Sequence, residues 1–89
     1  MKRDLKRERL NRELESVAER LFGDVRREDG RFQTGVCRLR GQTALFINTR
    51  QPLDERIAAL ASLIARFNMD DVYLKPVVRA EVERYGVPA

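Results

Sequence analysis

Apolar residues recur at spacings of three and four near the start of the chain. Leu10, Leu14, Val17, Ala18, Leu21 and Phe22 line one face, and that period predicts a first helix over 4–22. Its opposite face alternates charge, with Glu8/Arg12 and Arg9/Glu13 spaced i,i+4. Gly23 stands where a helix C-cap glycine belongs. The period then shortens. Residues 24–28 read as a short polar strand, 31–40 as a second strand and 43–49 as a third. Asp29-Gly30 is a two-residue hairpin signal and Gly41-Gln42 a second tight turn. In the second strand Cys37 and Leu39 alternate with Arg38 and Arg40, which predicts a core face bearing Cys37 and Leu39. Phe32 is out of phase with that face, and Gly35 is placed to restore it through a bulge. The third strand contains Ala44-Leu45-Phe46-Ile47, apolar on both faces, and is expected to be the most buried segment.

Pro52 opens a second helix. Asp54 and Glu55 fall in its first turn, where negative charge complements the helix dipole. Leu53, Ile57, Leu60, Ala61, Ile64 and Phe67 form its buried stripe, and Asn68-Met69-Asp70-Asp71 ends it. Val72-Tyr73-Leu74 is extended or irregular. Pro76 opens a last short helix with Val78, Val82 and Tyr85 turned inward, and Gly86 closes it. The order predicts an α+β fold: a helix, a three-stranded antiparallel β-meander, then two helices packed on one face of the sheet. At 89 residues the chain reads as a single domain over 1–89, with residues 1–4 and 87–89 frayed.

Composition sharpens this picture. The chain is 43% hydrophobic, and the periodic placement of those residues argues against disorder. No apolar run approaches the roughly 18 residues of a membrane span. The basic start, Met1-Lys2-Arg3-Asp4, is followed by no apolar stretch. A cytoplasmic protein with no membrane association is therefore expected. The single cysteine, Cys37, makes an intramolecular disulfide impossible.

The chemical inventory is thin. There is no histidine, the commonest general base and metal ligand. Cys37 has no base to take its proton, and its place on the core face reads as a small buried side chain rather than a nucleophile. Asp70 and Asp71 lack the further oxygen ligands that magnesium or calcium would need, and read as helix termination. Glu81 and Glu83, two apart, cannot share a helical face. The glycines are isolated, with no phosphate-cradling motif among them. Neither Ser16 nor Ser62 has the flanking glycines of a nucleophile elbow. No enzyme, cofactor or metal is expected.

The charge is uneven. The formal net charge is +4, with +5 over residues 1–50 and −1 over 51–89, and all the basic residues except Lys2, Lys6 and Lys75 are arginines. Arg26, Arg27, Arg31, Arg38 and Arg40 lie on the strand segment or its turns. They form either a solvated charged face or a positive plate that binds nucleic acid by counterion release, with Phe32 or Phe46 supplying stacking. An apolar third strand at a sheet edge would need cover from a helix or a partner.

Leu45-Phe46-Ile47-Asn48 and the stretch from Arg56 through Ile57, Ala58, Ala59, Leu60, Ala61, Ser62, Leu63 and Ile64 to Ala65 resemble part of the ImmA/IrrE metallopeptidase family. In that family a strand ending in an apolar residue and Asn leads into a helix carrying HExxH. The motif histidines would fall at Ala61 and Ala65 and its glutamate at Ser62. Alanine cannot ligate zinc and serine cannot replace the glutamate that activates water. The resemblance implies the scaffold without its chemistry. The segment from Gly35 to Gly41 also resembles small bacterial proteins, a likeness that adds nothing about function. Together these features lead to a non-catalytic protein-binding or regulatory module, homodimeric or acting on another protein. The alternative is a nucleic-acid-binding accessory protein that uses the arginine-rich sheet face.

Overall fold

The computed structural model describes residues 4–67, 70 and 72–86. Helix α1 spans Leu5–Phe22, strands β1, β2 and β3 span Val25–Glu28, Gly35–Leu39 and Gln42–Asn48, and helices α2 and α3 span Leu53–Ile64 and Pro76–Glu83. The α+β class is as the sequence predicts.

Local signals set the helix ends. The Asp4 carboxylate accepts from the Arg7 backbone N–H at 3.1 Å and caps α1. Asp4 therefore belongs to an ordered helix start; the rest of the expected fraying, at 1–3 and 87–89, lies outside the described residues. Gly23 ends α1 at φ 78°, a conformation with little steric cost only for glycine. Pro76 takes the first turn of α3, where its missing N–H is not needed.

The sheet departs from a meander. Its order is β1-β3-β2, with β1 parallel to β3 and β2 antiparallel to it. β3, the strand that is apolar on both faces, takes the central place, with a strand paired along each of its edges. Asp29-Gly30 closes no hairpin, and Gly30 does not adopt a positive φ. Residues 29–34 instead carry the chain past the end of β3. Asn48, the last residue of β3, holds them there. Its Nδ2 donates to the Gly30 and Phe32 carbonyl oxygens, and its backbone N–H donates to Thr34 Oγ1 at 3.0 Å. Gln51 Oε1 accepts from the Thr34 N–H, also at 3.0 Å. The β2–β3 hairpin does form, one residue earlier than the sequence suggests. Its turn is Arg40-Gly41, with φ 51° and 82°, the signs of a type I′ turn. Gly35 makes no bulge; pairing runs unbroken from Gly35↔Phe46 to Leu39↔Gln42.

Paired residues share a face. Val25, Leu45 and Val36 are in register, as are Arg27 with Ile47 and Arg38 with Thr43. Leu45 and Ile47 are fully buried in one cluster with Leu14, Val17 and Ala18 of α1 and Ile57, Leu60 and Ile64 of α2. This is the helix face. Each large side chain so buried contributes about 1.5–3 kcal/mol. α3 packs on α1 and α2 rather than on the sheet, sealing the far side of the core with Val78 and Val82. Tyr85 and Phe67, expected in the core, are partly exposed; Phe67 stacks edge-on against Phe22 with ring centroids 5.0 Å apart.

Buried charge ties the helices together where the apolar stripe stops. Arg7 of α1 donates to Asp54 of α2 and to the buried Glu81 of α3. Its guanidinium is held above the usual arginine pKa, chiefly by the Asp54 hydrogen bond. Glu13 accepts from Lys75 Nζ at 3.0 Å rather than pairing along its own helix.

Candidate functional site

The opposite face of the sheet carries no helix. It presents Arg26, Phe46 and Gly35 in one row, Ala44 and Cys37 in the next, and Gln42 with Leu39 in the last. Phe46 is the centre of this open face. The Arg26 guanidinium lies 5.7 Å from its ring centroid, a cation–π contact, and Phe32 packs edge-on against it at 6.5 Å. Arg26 also donates to Asp24. That hydrogen bond is the main cause holding its guanidinium above the usual pKa.

β2 forms one border of the sheet, and every side chain it carries beyond Gly35 is exposed. Cys37 and Leu39 do alternate with Arg38, but they point to the open face and not into the core. Cys37 is accordingly an exposed free thiol, not a buried packing residue. The core face of β2 is the one bearing Val36, and even Val36 is 40% exposed, with Leu39 at 38%.

Two apolar hollows flank this strand on opposite faces. On the open face a hollow of about 420 Å³ is lined by Glu28, Phe32, Gln33, Gly35, Val36, Cys37 and Phe46. On the helix face one of about 250 Å³ is lined by Phe22, Val36, Leu63, Arg66 and Phe67. Val36 lines both, so the two hollows meet at the rim of β2. The sequence named neither. The interruption of the apolar stripe at the end of α2 is the only signal that could have pointed to the second.

The sequence-predicted arginines are dispersed. Arg26 and Arg40 line one cleft of about 550 Å³ on the open face, with Asp24, Leu39 and Gln42. Arg27 faces the helices and donates to the buried Glu15 of α1, which also accepts from Asn11. Arg38 shares that face and donates to the Gly41 carbonyl oxygen at 2.9 Å. Arg31 lies in the crossing loop, in a third hollow with Arg50 and Glu55. Only Arg26 and Arg40 of the five come together in one cleft.

Among the described residues no group of three or more His, Cys, Asp or Glu side chains converges. Asp70 is exposed, and Asp71, with Asn68 and Met69, lies outside the described residues. Glu81 is buried between Arg7 and Arg84 while Glu83 is exposed, as their spacing requires. Ala61 sits fully buried in the core and Ala65 packs against it. Among the described residues no helix is long and apolar enough to cross a membrane. Compared with known proteins, the chain matches no family model, no curated protein and no solved structure.

Proposed function

We propose that the chain is a non-catalytic protein-binding module that takes an extended segment of a partner along the outer rim of β2. A border strand offers a row of backbone donors and acceptors with no partner strand. A strand added there gains main-chain hydrogen bonds, and pockets for alternate side chains supply selectivity. The observation that carries this reading is the pair of apolar hollows on opposite faces of β2, meeting at Val36. Successive side chains of an added strand point to opposite faces, so neighbouring residues of the partner would enter the two hollows in turn.

The central place of β3 removes the motive for dimerisation through that strand, and the dispersal of the five arginines weakens the case for a nucleic-acid plate. The test is to pan a displayed library of random linear peptides against the whole chain, with the Val36→Lys variant as counter-selection. Enriched peptides that bind the parent and not the variant, and whose amide shift changes concentrate on residues 35–39, are the expected outcome. Peptides that bind both forms equally, or no enrichment, would sink the reading.

A further inference from the structure

Resting on that reading, we infer that the segment received at β2 is acidic: an extended stretch with apolar side chains at its centre and carboxylates flanking them. Charge complementarity around the two hollows favours such a segment. Arg66 lines the helix-face hollow beside Val36. At the other end of the strand Arg40 stands beside Leu39 on the open face, and Arg38 projects from the helix face between them. All three are exposed. Among the described residues no carboxylate pairs with any of them. Glu28, on the far side of Phe46, is the one described carboxylate lining either hollow, and Asp24, which lines the cleft with Arg40, is paired with Arg26.

The same charges argue against a second copy as the occupant. Two β2 strands laid side by side would gather both sets of Arg38, Arg40 and Arg66 along one seam, and like charges across a strand pair are destabilising. An acidic segment meets the same residues with opposite sign, and guanidinium forks suit carboxylates. The hollows, lined by Phe32, Phe46 and Cys37 on one side and Phe22, Leu63 and Phe67 on the other, call for uncharged aliphatic or aromatic residues at the centre.

The experiment uses the peptides selected in the panning above. Those sensitive to Val36→Lys should be enriched in Asp and Glu on both flanks and depleted in Lys and Arg. A labelled selected peptide should lose about tenfold in affinity when its flanking acids become Asn and Gln, since a few rim charge pairs are together worth about that much. Arg40→Glu combined with Arg66→Glu should weaken the acidic peptide and favour a version with lysine flanks. Val36-dependent peptides with neutral or basic flanks would overturn the acidic partner while leaving strand addition standing. Absence of any Val36-dependent peptide would overturn both. A concentration-dependent dimer in light scattering that Val36→Lys abolishes would show that a second copy occupies the rim, which also overturns the proposal.

Discussion

β1 and β2 border the same sheet on either side of β3, yet they treat their exposed backbone in opposite ways. β1 reads Val25-Arg26-Arg27-Glu28, and its arginines are tied down: Arg26 to Asp24 and the Phe46 ring, Arg27 to Glu15. A short charged border strand repels further pairing. β2 reads Gly35-Val36-Cys37-Arg38-Leu39. It has no proline and no bulge, its one charge, Arg38, is exposed on the helix face, and its apolar side chains stand half-open beside two hollows. One sheet thus has a closed border and an open one. The difference lies in which side chains find partners within the chain.

Four substitutions test that contrast, in descending order of effect on stability. Asn48→Ala removes the three side-chain hydrogen bonds to Gly30, Phe32 and Arg50 that fix the crossing loop and so put β2 on its side of β3. At about 1 kcal/mol for each bond, urea unfolding should show a loss of about 3 kcal/mol. Glu15→Ala releases Arg27 and Asn11 behind β1. A loss of about 2 kcal/mol is expected, with faster hydrogen exchange at β1 than at β2. Arg40→Asn relieves a non-glycine positive φ and creates the Asn-Gly pair that type I′ turns favour, so it should stabilise by about 0.5–1 kcal/mol. The same change should weaken an acidic peptide, because Arg40 borders the docking rim. Val36→Lys gives β2 the character of β1. Its unfolding midpoint should stay within about 0.5 kcal/mol of the parent, while strand addition is lost. A large loss of stability in that variant would mean Val36 is core and the border is not open.

The helices were legible because their signals are local. Gly23, Pro52 and Pro76 mark ends, and the stripe from Leu10 to Phe22 names a face without reference to anything distant. The sheet was less so. Asp29-Gly30 is a sound hairpin signal, but hairpin signals report only what neighbours in sequence favour. The partner of β1 is β3, which lies beyond β2 in the chain and pairs along both of its edges. Cys37 shows the same limit. Alternation separates two faces but does not say which one is buried; that depends on register with Leu45, which puts Val36 inward and Cys37 outward. Glu15 and Glu81 are buried carboxylates at the margins of apolar stripes, and each takes a partner from another element, Arg27 of β1 and Arg7 of α1. The site was hidden for a related reason: its two hollows draw on α1, β1, β2, β3, α2 and the crossing loop together.

The crossing loop has a consequence for the order in which the sheet assembles. Gln42 and Leu39 close across a two-residue turn, whereas Val25 must find Leu45, well beyond β2 in the chain. Short closures precede long ones, because the entropy of bringing distant residues together must be offset before their contacts form. The β2–β3 hairpin therefore forms first, and β1, arriving with α1, docks afterwards. Until it does, β3 has an open side of its own, and that side belongs to the most apolar strand in the protein. Refolding yield should fall as protein concentration rises, and substitutions in the hairpin should slow folding more than equally destabilising ones in β1.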